Sequence, residues 1–337
     1  MKSNIKKVTA KCCICNLDDT TPLATVRDHE YPDTTDDRFQ FVQCNRCSLV
    51  YLDPRPDGSE LDCIYPKNYY AFDTADSVAS TGLLNVKSVS RIFEARRLKS
   101  LLSKEHPRLI ETVFDIGCGD GYHLDIFKSA LDGSVRTCGI EMSEKAAKSA
   151  RSRGHEVECG LFEDFSTDRL MADLVFSSHV IEHVADPRLF LNKSKSLLNH
   201  DGIIVIDTPN VDGILRKLFG RHWGGWHTPR HWYLFNPRSI SELATQCGLE
   251  VVRIDFLPIN MYWVWGLHSV LFDRHRRLAD KFFDPVGAEK SGISGIVLLA
   301  VFQVFELFLK LVTRSTSQMR IVIRPTTKFV EDVGRNT

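Results

Sequence analysis

Short apolar segments alternate with helical patterns through the middle of the sequence, and this alternation constrains the fold more than any other feature. TVFDIG (112–117) and VRTCGIEM (135–142) have the character of buried strands, and YHLDIFKSAL (122–131) between them has helical periodicity. ADLVFSSH, GIIVIDTPN and EVVRIDF continue the pattern, and QMRIVIRP (318–325) is expected to close the sheet. This spacing predicts an α/β fold with a mostly parallel sheet covered on both faces.

A glycine-rich turn, Asp115-Ile-Gly-Cys-Gly-Asp-Gly121, follows the first of these strands. Gly117, Gly119 and Gly121 would let a ligand approach the backbone closely. A dinucleotide site would require glycine at position 122, where this chain has Tyr, and it would want no anion beside the pyrophosphate. The carboxylate of Asp115 would repel phosphate and attract an ammonium group. The turn therefore predicts a ligand that carries a cation at this point.

Residues after the second, third and fourth strands predict where the rest of this ligand would lie. Glu141 ends the second strand, 26 residues after Asp115, and is placed to accept hydrogen bonds from both hydroxyls of a ribose. A purine ring would lie between Leu161 and Phe162, with Glu163 or Asp164 bonding its edge. The ligand pocket is expected to include two further residues, Met142 and Ser178.

In these motifs the chain resembles the class I S-adenosylmethionine-dependent methyltransferases over about residues 85 to 256. The resemblance implies a Rossmann-like sheet whose last strand is antiparallel. It also implies that the methionine end of S-adenosylmethionine is held by the four residues Asp115, Gly117, Gly119 and Gly121, and the ribose by Glu141. Many members carry Asp directly after the glycine that matches Gly160, whereas this chain has Leu161.

Two C-x2-C pairs near the start of the chain predict a structural zinc site. Cys12 and Cys15 form the first pair, and Cys44 and Cys47 form the second. Each pair can direct two sulfurs at one point, so that two pairs complete a tetrahedron around zinc. Two unconnected reduced pairs are the alternative, and Cys13 is expected to be a bystander. Ten cysteines among 337 residues are too few for a disulfide scaffold.

The layout of cysteine pairs, the connector IYPKNYY and the segment HVIEHVADP resembles zinc-bearing methyltransferases of deoxysugar and polysaccharide pathways. This implies O- or C-methylation of a small-molecule or glycan acceptor, with a carbohydrate or glycan-linked group as the substrate. The alternatives are an RNA or quinone/lipid methyltransferase, and a catalytically inactive methyltransferase-like binding protein. Forty-three Lys and Arg balance 43 Asp and Glu, which argues against a nucleic-acid partner.

Candidate catalytic residues follow the fourth strand. His179, Glu182 and His183 stand at offsets of zero, three and four, which would place them on one face of a helical turn. One imidazole could remove the acceptor's proton while Glu182 orients it. Alternatively, Glu182 and His183 brace the loop, or the three side chains hold a divalent ion in the manner of the E-x-x-E-H pattern of some quinone and RNA methyltransferases.

An aromatic segment at residues 213–235 contains the second catalytic candidate, His231, which matches a histidine often found in the family. We expect this segment to be an acceptor lid, flexible at Gly224 and Gly225, with an indole face over a sugar ring or a base and an arginine on a phosphate. A long loop packed by its own aromatics is the alternative.

A hydrophobic helix is predicted at 292–312, within an insertion before the last strand. Gln303, Glu306 and Lys310 form a narrow polar stripe on it, and the strand that follows must rejoin the sheet. The helix is therefore expected to be buried, or to lie flat on a membrane or partner.

We divide the chain into a zinc-binding module and connector (1–75), a methyltransferase domain (85–256) and a C-terminal helical insertion with the final strand (257–337). MKSNIKKVTAKCC lacks a signal-peptide core, so the protein is expected to be cytoplasmic or peripheral at a membrane.

Overall fold

A seven-stranded sheet forms the centre of the protein, whose computed structural model describes residues 5–66, 69, 86–106, 108–131, 134–167, 170–283 and 292–326. Its strands are β6 (Thr112–Ile116), β7 (Arg136–Glu141), β8 (Glu156–Cys159), β9 (Ala172–Ser178), β10 (Leu198–Pro209), β12 (Leu249–Leu257) and β13 (Gln318–Pro325). Their order is β12-β13-β10-β9-β6-β7-β8. β13 is antiparallel to both of its neighbours, and the other pairs from β10 to β8 are parallel. The predicted mostly parallel sheet with an antiparallel last strand is confirmed.

Helices cover both faces of this sheet. They are α2 (Val86–Glu105), α3 (Tyr122–Ala130), α4 (Glu144–Ser152), α5 (Pro187–Ser196) and α7 (Pro237–Gln246). Side chains alternate between the faces along a strand, so Ile203 and Val205 of β10 join one core cluster whereas Ile204 and Ile206 join the other. Side-chain caps begin three of the helices, at Ser143, Asp186 and Asn236.

A buried ion pair ties the antiparallel strand β13 to its neighbour. Arg320 on β13 is 1% exposed, and its guanidinium donates to both carboxylate oxygens of Asp207 on β10, at 2.7 and 2.6 Å. It also donates to Glu94 on α2. Because a buried guanidinium depends on its carboxylate partners, the bonds of Nε and Nη2 lock β13, β10 and α2 to one another.

The N-terminal region forms two smaller sheets. β1 (Lys7–Val8) pairs with β5 (Arg55–Pro56), and β2 (Thr20–Arg27), β3 (Arg38–Cys44) and β4 (Val50–Leu52) form an antiparallel meander followed by the short helix α1 (Leu61–Ile64). The free edge of β4 pairs with β11 (Tyr233–Leu234), which lies in the aromatic segment. The regions that we separated as 1–75 and 85–256 therefore share a sheet.

Three helices belong to the aromatic segment and to the insertion before β13. They are α6 (Ile214–Phe219), α8 (Met261–Phe283), which is kinked at His275, and α9 (Gly292–Thr313). Burial was one of the two expectations for α9, and it is wrong for the apolar side of this helix, which is exposed. Its polar stripe faces inward instead, because Gln303 Nε2 donates to the Pro258 carbonyl at 3.0 Å and Trp263 Nε1 donates to Glu306 at 2.9 Å.

The opposite side of α9 is a continuous exposed apolar surface, which we call the outer face of α9. It consists of Val297, Val301, Val304, Phe305, Leu307, Phe308, Leu311 and Val312, each at least 45% exposed. Among the described helices, none has the length and apolar character that crossing a bilayer would require.

Candidate active site

The glycine turn joins β6 to α3 at the carboxyl edge of the sheet. Gly117, Gly119 and Gly121 have φ of +72°, +56° and +88°, a region that favours glycine. A Cβ on Gly117 would lie 2.6 Å from Val180, and one on Gly121 would lie 2.8 Å from His155. A Cβ on Gly119 would meet nothing within 4 Å. The backbone at Gly119 therefore borders open space, which suits a ligand that approaches the main chain.

Asp115 lies on β6 just before this turn and is 1% exposed. Neither of its carboxylate oxygens has a hydrogen-bond partner among the described residues. Burial raises the pKa of Asp115 well above its usual value, and the charges of Glu141 and Asp207 raise it further. Since a buried carboxylate without a partner is costly, this site fits a ligand that brings a cationic donor.

Glu141 ends β7 and is held rigidly by the backbone. Its Oε2 accepts a hydrogen bond from Gly119 N at 3.0 Å and its Oε1 accepts one from Ser143 N at 2.8 Å. Burial raises the pKa of Glu141, although these two bonds act in the opposite direction. Each oxygen keeps a further lone pair, so the carboxylate can still accept from two vicinal hydroxyls. Met142 beside it is half-exposed.

The purine sandwich predicted between Leu161 and Phe162 does not form. Phe162 is buried, with its ring centroid 5.5 Å from that of Phe190 and 6.5 Å from that of Phe165. These aromatic partners hold it in the core, whereas Leu161 is exposed. Glu163 and Ser178 are both partly buried at the same edge of the sheet. Leu161 and Met142 thus offer the exposed apolar side chains near the predicted purine site.

His179 follows β9 in a strained conformation, with φ of +56°. An L residue with a bulky side chain pays about 1–2 kcal/mol in this left-handed region, so the surrounding contacts must hold it there. Nδ1 donates to Glu182 Oε1 at 3.0 Å. Burial alone would lower the pKa of His179, but the hydrogen bond and charge of Glu182 more than offset it, and the pKa is raised. Its side chain is 37% exposed, so the ring reaches open space.

Glu182 is fully buried and fixes this arrangement. Its Oε2 accepts a hydrogen bond from the Thr208 hydroxyl at 3.0 Å, while its Oε1 accepts one from His179 Nδ1. The two residues meet across a turn rather than a helix, so the expected common helical face with His183 is wrong. Glu182 and His179 form a carboxylate–imidazole dyad in which the carboxylate orients the ring.

His183 and His231 form a separate aromatic cluster with His227. The centroids of His183 and His231 are 4.6 Å apart, and those of His227 and His231 are 4.9 Å apart. His231 Nδ1 donates to the Gly225 carbonyl at 2.9 Å. Burial lowers the pKa of His183 to about 4 and that of His231 well below 6.5, so both rings are neutral at pH 7.

A group of possible metal ligands also differs from the predicted one. Glu182, His183 and His231 each offer a ligand atom, and these atoms lie within 4.8 Å of one another. The alternative metal site in the sequence analysis had His179 in place of His231. His179 Nδ1 is instead committed to Glu182, and the 213–235 segment brings His231 to the group. A carboxylate with two imidazoles suits zinc or manganese better than magnesium.

The N-terminal region supplies side chains to this cluster, of which the sequence analysis missed Asp28 and Glu30. Asp28 and Arg230 form a fully buried ion pair at 2.8 Å, and Glu30 Oε1 accepts a hydrogen bond from His227 Nδ1 at 2.9 Å. The hydroxyl of Tyr69 bonds His227 Nε2 at 3.0 Å. No spacing rule marks these contacts, because Glu30 and His227 are 197 residues apart.

The 213–235 segment is not the flexible, open lid that we expected. Trp223, Trp226 and Trp232 are at most 3% exposed. A Cβ on Gly224 would lie 2.2 Å from Trp265, and one on Gly225 would lie 2.2 Å from Trp223, so both glycines allow close packing. The alternative of a loop packed by its own aromatics describes the structure, and the indole faces cover core rather than a pocket.

The four predicted zinc ligands converge. The sulfurs of Cys12, Cys15, Cys44 and Cys47 lie within 4.8 Å of one another. The two turns repeat the same geometry, since the residue after each pair, Asn16 or Ser48, has positive φ and donates its N–H to the carbonyl of the first cysteine in that pair. Hydrogen bonding with Cys47 lowers the pKa of Cys12 to about 5. The four sulfurs converge, and the lowered pKa of Cys12 favours its thiolate form. Both features fit a tetrahedral zinc ion.

Comparisons with known proteins agree with this geometry. Residues 88–254 match the family model described as "Methyltransferase domain". The chain is 30% identical to the ubiquinone biosynthesis O-methyltransferase of Ruegeria sp. over 46% of its length and 67% of the relative. It is 26% identical to the tRNA U34 carboxymethyltransferase of Aeromonas salmonicida, over 42% of this chain and 45% of the relative.

A solved structure, a SAM-dependent methyltransferase from Archaeoglobus fulgidus, is 19% identical with a TM-score of 0.42 over 68% of this chain and 93% of that one. The chain spans between about a third and two thirds of the length of the curated relatives reported for it. The methyltransferase-domain match covers β6, β7, β9 and the glycine turn, which form the site described above. The chain belongs to the class I S-adenosylmethionine-dependent methyltransferases.

Proposed function

We propose that the protein transfers a methyl group from S-adenosylmethionine to an acceptor that loses a proton to His179. The observation that carries the proposal is the buried carboxylate of Asp115, which has no partner among the described residues and lies beside the open backbone of Gly119. Asp115 would hold the ammonium group of the cofactor, and the two oxygens of Glu141 would accept its ribose hydroxyls. When bound, the cofactor supplies a methyl group already activated on a sulfonium.

The acceptor's proton is the part of the reaction that this chain must manage. His179 is suited to this role, because Glu182 binds Nδ1 and leaves Nε2 as the ring nitrogen available to an acceptor. His183 and His231 lie behind Glu182 as neutral rings and shape its surroundings. Glu182 with these two rings could also hold a divalent ion that binds acceptor hydroxyls.

We propose a carbohydrate or glycan-linked hydroxyl as the acceptor. Support comes from the resemblance to sugar methyltransferases in the two cysteine pairs, the connector IYPKNYY and the segment HVIEHVADP. Because the indole rings of the 213–235 segment are buried, stacking of an indole on a sugar ring does not support this acceptor. The rival acceptors are tRNA and quinone precursors, in keeping with the names of the relatives. Mass spectrometry after incubation with labelled cofactor separates the classes, and label confined to tRNA or quinone would replace the carbohydrate.

A zinc ion at the four cysteines is the second part of the proposal. It would anchor β2–β4, and β4 in turn pairs with β11 next to His231. Because Asp28 and Glu30 lie just after β2, loss of the metal would also disturb Arg230 and His227. We infer that zinc supports the catalytic histidines as well as the N-terminal sheet.

The third part of the proposal is contact with an anionic lipid surface through the outer face of α9. A helix with an apolar side this wide lies stably in the interface of a bilayer. Basic side chains on the neighbouring helix α8, among them Arg274, Arg277 and Lys281, are exposed and would attract anionic headgroups. This surface would hold the enzyme near a lipid-linked acceptor.

Replacing Asp115 by Asn tests the cofactor site. The raised pKa of Asp115 means that its charge costs stability as pH rises above the value of an unfolded Asp, so the neutral amide should keep or raise stability at pH 7. Affinity for S-adenosylmethionine should fall at least tenfold in calorimetric titration. Asp173→Asn is the control, because Asp173 binds the N–H groups of Glu111 and Thr112 at the opposite edge of the sheet. Unchanged affinity in Asp115→Asn would refute this placement of the cofactor.

Replacing His179 by Asn tests the base. Asn tolerates the left-handed backbone, so the fold and cofactor affinity should persist while kcat falls by about 10²–10⁴. Since the pKa of His179 is raised, wild-type activity should climb with pH beyond 6.5 before it levels off. Glu182→Gln should shift that climb to lower pH. If the wild type and Glu182→Gln had the same pH profile of activity, the proposed dyad of His179 and Glu182 would be contradicted.

Replacing Cys44 by Ser tests the zinc site. Metal analysis should find zinc in the wild-type protein and its loss in the variant, together with a lower melting temperature and reduced methyl transfer. Cys13→Ser is the matched control, since Cys13 is adjacent to Cys12 but outside the ligand group, and it should retain zinc. Metal analysis that finds no zinc in the wild-type protein would refute the zinc site.

Replacing Val304 and Phe308 together by Ser tests the lipid contact. In flotation with vesicles that contain phosphatidylglycerol, binding should fall at least tenfold, because the substitutions remove exposed apolar area from the outer face of α9. Leu109→Ser with Met171→Ser removes exposed apolar side chains elsewhere and should leave binding unchanged. Wild-type protein that stays off vesicles but forms a dimer broken by the first pair of substitutions would assign the face to a second copy.

A further inference from the structure

A cavity separate from the candidate active site lies where the N-terminal sheet, the loop after α6 and helix α8 meet. Its volume is about 280 Å³, close to the lower end of small-molecule sites. It is lined by Thr25, Val26, Arg27, His29, Arg38, Arg221 and Asp273. None of these residues belongs to the glycine turn, the His179–Glu182 dyad or the cysteine cluster. The cavity therefore requires an explanation of its own.

The lining is strongly positive. Arg27, Arg38 and Arg221 come from three separate segments and face one carboxylate, that of Asp273. Asp273 contacts Arg27 at 2.5 Å and Arg221 at 3.6 Å, so it orients both guanidiniums without neutralising the set. No hydrogen bond or ion pair of the Arg38 guanidinium is found within the described parts of the chain. A guanidinium left open in a concave site is a ready partner for an oxyanion.

The imidazole of His29 lines the cavity, and the imidazole of His222 lies beside it, with ring centroids 5.8 Å apart. His29 and His222 each bond the Ser269 hydroxyl through Nδ1, at 3.1 and 3.0 Å. Burial lowers the pKa of both rings, and hydrogen bonding to Asp273 only partly offsets it at His29. The excess positive charge therefore resides on the three arginines.

A metal ion is the competing occupant, since His29, His222 and Asp273 offer ligand atoms within 4.8 Å of one another. His29 Nε2 already donates a hydrogen bond to Asp273 Oδ1 at 3.1 Å, and His222 Nε2 accepts one from Arg221 Nε at 3.1 Å. A divalent cation would have to displace both hydrogen bonds and sit beside the guanidiniums of Arg27 and Arg221. The arrangement thus favours an anion over a cation.

We propose that this cavity binds a phosphate group, with Arg38 and the outward N–H groups of Arg27 and Arg221 as its donors. A guanidinium pairs with phosphate oxygens in a bidentate way, and three of them from different segments can enclose a tetrahedral anion. The phosphate can come from a soluble phosphate ester or from a lipid headgroup, both of which present the same oxygens. The inference is separate from methyl transfer and does not require that activity.

Calorimetric titration of the full-length, zinc-containing protein with inorganic pyrophosphate tests the proposal. Wild-type protein should bind, with affinity that falls as salt is raised. Arg38→Gln and Arg221→Gln should each weaken binding at least tenfold. Arg46→Gln removes an exposed arginine on the second cysteine turn, outside the cavity, and should bind like the wild type. Equal affinity in all four proteins would overturn the site.

Further measurements identify the source of the phosphate and guard against misfolding. Melting temperature and affinity for S-adenosylmethionine should be unchanged in Arg38→Gln, because its side chain is exposed and lies outside the cofactor site. Vesicles that contain phosphatidic acid, bound by the wild type and at least tenfold less by Arg38→Gln, would assign the site to a lipid headgroup. Binding of zinc by His29 and His222 in place of either anion would refute the proposal.

Discussion

The buried carboxylate of Glu182 is the contact on which the rest of the catalytic region depends. Its side chain orients His179 and accepts from Thr208, so it joins the end of β9 to β10. Its backbone carbonyl accepts hydrogen bonds from Trp232 and Tyr233, which seats the aromatic segment against the same turn. Removing the carboxylate would leave both His179 Nδ1 and the buried Thr208 hydroxyl without this acceptor. Through its side chain and its backbone carbonyl, one residue thereby links the sheet, the base and the segment that carries His231.

The central fold and the glycine site could be predicted from the sequence because their signals are local. Strand and helix periodicity identified the mostly parallel sheet, and the positive φ at Gly117, Gly119 and Gly121 accounts for the glycine spacing. The two cysteine pairs were likewise recognisable, since each pair is a single turn. These features depend on residues a few positions apart, where the chain's own geometry decides the outcome.

The remaining features depend on contacts between distant segments, which periodicity cannot reveal. The ion pair of Asp28 with Arg230 joins residues 202 positions apart, and the aromatic segment proved to be core because the N-terminal sheet and α8 cover it. The polar stripe of α9 was visible in the sequence, but whether it faces the protein or the solvent was not. A polar stripe that hydrogen-bonds Trp263 and the Pro258 carbonyl has the same sequence pattern as one that faces water.

The pairing of β4 with β11 also bears on how the chain is made. The edge of β4 is completed by residues 233 and 234, far along the chain from residues 50–52. At a synthesis rate of about 5–20 residues per second, β4 waits on the order of 10–40 s for its neighbour to emerge from the ribosome. During that interval an apolar strand edge stands open to other nascent chains, so chaperone protection during translation should matter for this protein.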